Sequence, residues 1–176
     1  MQRQGNGFTL IELIIVIIIL GVLAVAAAPK FISLKDDAVA STMRAEFGSF
    51  EAAVKMYHLG WQLKGQKKAS DNLAGFGDGT VDSSSFGFPY ATSGVDVHPF
   101  SACGELWPAL LDTESTIGYV EDSDLLTTDK DIAYTYNADG CSYRVVYFIQ
   151  QDLETLVMRY SYRTGKVTIT KATYSP

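Results

Sequence analysis

Between positions 8 and 28 the chain is hydrocarbon with three interruptions, Thr9, Glu12 and Gly21, and this run limits the fold more than any other feature. About 20 apolar residues in a helix cross the core of a bilayer, so the run reads as a transmembrane helix. Glu12 does not suit a plain anchor. A carboxylate in hydrocarbon costs about 2.5–3.5 kcal/mol on insertion scales, so it needs a partner. Cutting the chain between Gly7 and Phe8 would create an α-amine four residues before Glu12. The new amine of a neighbouring copy, displaced along the helix axis, could then neutralise the carboxylate.

Gly7-Phe8-Thr9-Leu10-Ile11-Glu12, with the apolar run behind it, resembles the class III signal of type IV pilins and pseudopilins. The resemblance implies cleavage after Gly7 by a prepilin peptidase, N-methylation of Phe8, and use of Glu12 in filament assembly. Residues 1–7 are then a leader that belongs to processing and not to the fold. Two other readings compete. A plain signal anchor leaves Glu12 unexplained. A secretory signal peptide would be cut at the small residues Ala24-Val25-Ala26 or Ala26-Ala27-Ala28, and mature protein would start near positions 27–29.

Beyond the leader and the span, the 176 residues leave room for one globular domain of modest size. A formal net charge of -6 repels phosphate backbones and argues against nucleic acid as a partner. Lys64, Lys67 and Lys68 form the one dense basic cluster and read as a solvated loop. Arg3 places the N-terminus in the cytoplasm by the positive-inside tendency, although Lys30 and Lys35 follow the span. The domain would then lie in an oxidising periplasm, where Cys103 and Cys141 would be joined; two free buried thiols are the alternative.

In chain order, residues 8–28 form the membrane or filament-core helix, and residues 29–60 form an amphipathic continuation. Pro29 should kink or locally unwind the helix between them. Ile32, Val39, Met43, Phe47, Phe50, Val54 and Tyr57 recur at the spacing of one helical face, with Gly60 as a terminator. Residues 61–112 are a helix-to-sheet connection, rich in glycine at Gly75, Gly77, Gly79, Gly87 and Gly94. It should hold one or two short strands and a short helix at residues 103–111. Residues 113–176 carry the sheet. Ile132, Tyr134 and Tyr136 alternate, as do Leu156, Met158, Tyr160 and Tyr162, then Val167 and Ile169. Residues 143–149, apolar at both parities, suggest a strand covered on both sides. Reversals at Asn137-Ala138-Asp139-Gly140 and Arg163-Thr164-Gly165-Lys166 give an antiparallel meander of about four strands. The fold class is therefore α+β: a long N-terminal helix packed on a C-terminal antiparallel sheet. Cys141, at the start of the second strand, would tie the Cys103 helix to the sheet edge.

No assembled catalytic set stands out, so the chain does not read as an enzyme and no cofactor is implied. His58 and His98 lie in different segments, and neither a nucleophile-elbow nor a phosphate-loop pattern occurs. Glu121, Asp122, Asp124, Asp129 and Asp131 are oxygen ligands of the kind calcium takes, but they lack the EF-hand frame and read as a solvated acidic loop.

A narrower resemblance lies further along. Pro29-Lys30-Phe31-Ile32-Ser33-Leu34-Lys35-Asp36-Asp37-Ala38, Gly87-Phe88-Pro89, Cys103-Gly104-Glu105-Leu106-Trp107 and Gly140-Cys141-Ser142-Tyr143 are similar to subunits of the MSHA (mannose-sensitive haemagglutinin) pilus. That likeness supports a Cys103 to Cys141 disulfide. It implies a structural subunit that waits in the inner membrane with its domain in the periplasm. The assembly machinery then builds it, with other copies and minor pilins, into an extracellular filament for adhesion. A type II secretion pseudopilin is one alternative. The other is a helix-tethered adhesin that binds a glycan or surface through aromatics in residues 76–100.

Overall fold

The computed structural model describes residues 8–76, 79–137 and 139–174. The leader with Gly7, the loop residue Gly77, the turn residue Ala138 and the side chain of Ile32 lie outside the described residues. Two compact units are present, Met1–Ala40 and Ser41–Pro176.

The first helix, α1, spans Leu10–Leu63 and stays helical through Pro29, so the chain does not unwind there. Proline deletes one backbone bond of the ladder, and the neighbouring turns keep the helical assignment. Nor does the helix stop at Gly60. The Gly65 N–H bonds the Gln62 carbonyl at 2.9 Å and the Gln66 N–H bonds the Trp61 carbonyl at 3.4 Å, with Gly65 at φ 67°. That pairing is a Schellman C-cap, and only glycine adopts its left-handed residue without strain. Gly60 has another use: a Cβ there would lie 2.4 Å from the Phe76 ring.

Within the first unit, every large apolar side chain of residues 8–25 is exposed, from 42% at Ile14 to 84% at Phe8. Among the described residues, α1 is the one helix long and apolar enough to cross a membrane.

The second unit has an aromatic core. Met43, Phe47, Phe50, Val54 and Tyr57 are buried, at alternating spacings of four and three, so they form one stripe along the later part of α1. Phe50 meets Trp107, Tyr143 and Tyr160 at centroid distances of 5.8, 5.6 and 5.4 Å. Each phenol placed here finds a backbone acceptor: Tyr57 donates to the Val81 carbonyl at 3.0 Å, Tyr143 to Cys103 at 2.9 Å and Tyr160 to Pro89 at 2.6 Å. Buried hydroxyls without acceptors would each cost about 1–3 kcal/mol.

After α1 come β1 (Asp82–Ser83) and β2 (Pro89–Ala91), an antiparallel pair, then α2 (Pro99–Leu110). Helix α2 starts four residues earlier than its apolar spacing suggests, because His98 caps it and Pro99 occupies the first turn. The main sheet holds β3 (Ile117–Tyr119), β4 (Ile132–Asn137), β5 (Gly140–Val145), β6 (Thr155–Ser161) and β7 (Val167–Ala172), in that spatial order. It has five strands and not about four, because β3 adds at the edge, parallel to β4. The remaining neighbours pair antiparallel, and the fold class is the expected α+β, pilin-like arrangement.

Residues 143–149 are not one strand. Strand β5 ends at Val145, and α3 (Val146–Gln150) follows, burying Val146, Phe148 and Ile149. A short apolar run does not distinguish a covered strand from a buried helical turn. The Thr155 hydroxyl bonds the Val145 carbonyl at 2.6 Å where the chain leaves the sheet. In β7, Ile169 is 38% exposed and Val167 half-buried, so the alternation there marks an edge strand and not a core face.

The long connection between α1 and α2 is held by two carboxylates. Buried Asp82 accepts from the backbone N–H of Asn72 at 2.7 Å and of Gly94 at 2.8 Å. Glu105, on α2, accepts from the N–H and hydroxyl of both Thr92 and Ser93, at 2.7–3.1 Å. Partial burial would raise the Glu105 carboxyl, but those four donors outweigh it and hold the group below the usual carboxylate range.

Candidate functional site

The site begins where the helix begins. Thr9 precedes the first helical residue, Leu10, and its carbonyl accepts the first helical bond, from the Leu13 N–H at 3.3 Å. Glu12 Oε2 accepts from the Thr9 N–H at 2.8 Å and from the Thr9 hydroxyl at 2.8 Å, while Thr9 Oγ1 accepts from the Glu12 N–H at 3.3 Å. The two side chains thus form a reciprocal capping box: the helix's third residue reaches back to the cap, and the cap reaches forward. In hydrocarbon, backbone donors at a helix start have no water to satisfy them. Glu12 therefore has a partner within its own chain, besides any amine from another copy.

Read from the sequence, Thr9 has no role beyond interrupting the apolar run and belonging to the class III signal. The signal was present, since Thr9-Leu10-Ile11-Glu12 is a threonine followed three residues later by glutamate ahead of an apolar run. Phe8 is described and exposed, whereas Gly7, and hence the bond expected to be cut, lies outside the described residues.

The remaining candidates are in the second unit. Cys103 of α2 and Cys141 of β5 form a disulfide, with Cα atoms 5.5 Å apart. Because β5 is the middle strand of the sheet, the bridge ties α2 to the sheet's centre and not to its edge. The acidic residues of the 121–131 segment are not gathered around a common point. Asp122 pairs with Arg144 at 2.9 Å, Asp129 pairs with Lys130 at 3.3 Å, and Asp131 accepts from the Thr116 N–H and hydroxyl at 2.8 and 2.7 Å. No group of three or more metal-ligating side chains occurs among the described residues.

Both histidines have local roles. His58 stacks on Phe88 with centroids 4.1 Å apart and bonds the Gly87 carbonyl at 3.0 Å, and His98 caps α2. Of the aromatics in residues 76–100, Phe86 and Phe100 are exposed, Tyr90 is buried, and Phe76 and Phe88 are half-buried.

Comparison with known proteins bears on the same N-terminal segment. The prokaryotic N-terminal methylation motif matches residues 3–28. Over 58 residues, 33% of this chain and 41% of the relative, the sequence is 40% identical to type II secretion system core protein G of Pseudomonas aeruginosa. The core protein G of Klebsiella pneumoniae is 42% identical over 59 residues, 34% of this chain and 41% of that one. Type IV narrow pilus major component PilA5 of Thermus thermophilus is 42% identical over 50 residues, 28% of this chain and 43% of that one. The chain therefore spans between 41% and 43% of the length of these curated relatives. No solved structure matches it. Its amino-terminal third is thus similar to those of type II secretion core proteins and of a type IV pilus component, and carries the N-terminal methylation motif.

Proposed function

We propose that the chain is a structural subunit of a filament of the type IV pilus and type II secretion class, and not an enzyme. One observation carries the reading: a helix whose large apolar side chains from residue 8 to 25 are all exposed, starting in the Thr9–Glu12 capping box at the second residue after the expected cut. Such a surface is matched by lipid before assembly and by the helices of other copies after it. Each Å² of apolar area removed from water is worth roughly 25 cal/mol.

The precursor sits in the inner membrane with its domain in the periplasm. Prepilin peptidase cuts between Gly7 and Phe8, Phe8 is N-methylated, and the assembly machinery packs the subunit with its own copies and minor subunits. Within the filament, Glu12 has two duties. It caps its own helix, and its charge meets the Phe8 amine of an adjoining copy, which sets register. Replacement by glutamine keeps the capping geometry and removes the charge, whereas alanine removes both. Filament yield should be lost in Glu12→Ala and sharply reduced in Glu12→Gln. Wild-type yield in Glu12→Gln would end the charge-pairing part of the proposal.

The likeness to core protein G supports a pseudopilus form of this filament, and the likeness to PilA5 supports a surface pilus. The narrower MSHA reading rests on residues 29–38, 87–89, 103–107 and 140–143, with the disulfide between the last two segments. Mass spectrometry of the purified N-terminus, with electron microscopy of sheared filaments, tests the whole proposal. A mass starting at methylated Phe8 and surface fibres containing the chain are expected. A chain that retains residues 1–7 in normal fibres, or one that starts near positions 27–29, overturns it. Loss of protein secretion on deletion, without loss of surface fibres, decides for the pseudopilus form.

A further inference from the structure

Away from the helix, the outer face of the main sheet carries two arginines where its registers bring them together. Ser142 lies opposite Thr135 on β4 and Arg159 on β6, and Arg144 lies opposite Val157 on β6. Alternate residues of a strand share a face, so Ser142, Arg144 and Arg159 face the same way, opposite to buried Tyr143. Arg144 and Arg159 are diagonal neighbours, a placement that sets Cα atoms about 7–8 Å apart.

These residues line a concavity of about 480 Å³ together with Thr135, Asn137 and Tyr174. Its rim is braced, since the Tyr174 hydroxyl donates to the Asp122 carbonyl and Arg144 Nη1 bonds Asp122 Oδ1 at 2.9 Å. Asp122 is the one acid among the described lining residues, so two guanidinium charges face one carboxylate. Arg144 is also under-satisfied. Its side chain is 18% exposed, and its buried Nε–H has no partner among the described residues. A buried charged donor without an acceptor is costly, and a guanidinium fork fits a carboxylate or phosphate. Arg159 spends one Nη1 bond on Thr170 at 3.3 Å and is otherwise exposed.

We propose that this concavity is an oxyanion-binding site, taking the carboxylate or phosphate group of a small anionic solute or sugar acid. Arg144 and Arg159 supply the charge, and the Thr135 and Ser142 hydroxyls with the Asn137 amide favour a ligand that also carries hydroxyls. The site is independent of the filament reading, because none of its residues lies in α1.

The test uses the full chain in detergent micelles with arginine side chains labelled for NMR. Inorganic phosphate, glucuronate and chloride are titrated at constant ionic strength while the Arg144 Nε–H resonance is followed. A saturable shift with phosphate or glucuronate, absent with chloride, is expected. It should weaken at least tenfold in Arg159→Gln, a surface change that leaves the Asp122 bridge in place, and in Arg144→Lys the corresponding shift of the Arg159 Nε–H resonance, followed in its stead, should weaken as much. Saturation at lower concentration with glucuronate than with phosphate assigns the sugar acid as source; the reverse order assigns the free anion. Linear shifts equal to those of chloride, or saturable binding unchanged in both variants, overturn the proposal and leave water as the acceptor for Arg144.

Discussion

Two stretches of one helix have opposite surroundings. In residues 10–25 every large apolar side chain is exposed, whereas in residues 43–57 Met43, Phe47, Phe50, Val54 and Tyr57 are buried. The backbone is the same, and the difference lies in how the apolar residues are distributed. A helix apolar on every side has no polar face to offer water, so its partner must come from outside the chain. A single apolar stripe has one direction to pack in, and here it meets Trp107, Tyr143 and Tyr160. The second stretch therefore encodes an intramolecular contact, and on the proposed function the first is matched by lipid and by other copies.

Mutations can break this contrast. Phe50→Ala in the second stretch should cost about 3–5 kcal/mol of domain stability, as large-to-small changes in aromatic cores do. Ile17→Ala in the first should leave domain unfolding unchanged while lowering filament yield. Denaturant unfolding of both variants, followed by tryptophan fluorescence, checks the pair. Equal losses would mean that the two stretches are not distinct.

Removing the disulfide with Cys103→Ser and Cys141→Ser together releases a constraint across 38 residues of sequence separation. The chain-entropy model puts that at about 4 kcal/mol. Because both cysteines lie in the second unit, the loss should appear in urea midpoints of the domain and leave insertion of the apolar helix unchanged. A double variant as stable as the parent would show that the unfolded chain was already held by other contacts.

A smaller effect concerns pH. Glu105 titrates below the usual carboxylate range when folded, so its contribution is fully present above the unfolded carboxyl's range and is lost as pH falls through the folded one. Glu105→Gln should therefore be less stable than the parent at neutral pH, and the gap should close on acidification. Thermal melts of the two proteins across that window measure it. A gap that is constant with pH would assign the effect to packing and not to charge.

The smallest expected change is at the helix start. Thr9→Val keeps the volume and removes the cap, at a cost of about 1 kcal/mol in helix stability. Backbone amide exchange at residues 10–13 in micelles should quicken, with the domain unaffected. Unchanged exchange would mean that the capping box adds nothing in that environment.

How far the chain could be read in advance follows from how local each signal was. The α1 stripe and the apolar run are periodic over many residues, and both were legible. The Arg163-Thr164-Gly165-Lys166 reversal was legible too: Gly165 takes φ 68° and bonds back to the Ser161 carbonyl at 2.8 Å. Competing local signals defeated other readings. Two glycines were available to end α1, and the one with a left-handed backbone, Gly65, won over Gly60, which lies against Phe76. Residues 143–149 were ambiguous because burial on all sides erases periodicity. Strand β3 has three residues and no alternation to detect, and its existence depends on pairing with β4 far along the chain. At the candidate site, the cost of the Glu12 charge in hydrocarbon is the stronger signal and masks its ordinary use as the partner of Thr9.

The three buried phenols of the second unit carry a consequence for alkaline behaviour. Burial pushes the pKa of the Tyr143 and Tyr160 phenols up, and burial together with nearby Asp82 does the same for Tyr57. All three stay protonated while the domain is folded, and they favour the native state until pH climbs past the point where an unfolded tyrosine would lose its proton. Of the ten tyrosines in the chain, these should therefore be silent in an absorbance titration until the core opens and then ionise together, giving the aromatic cluster a built-in optical marker of its own collapse.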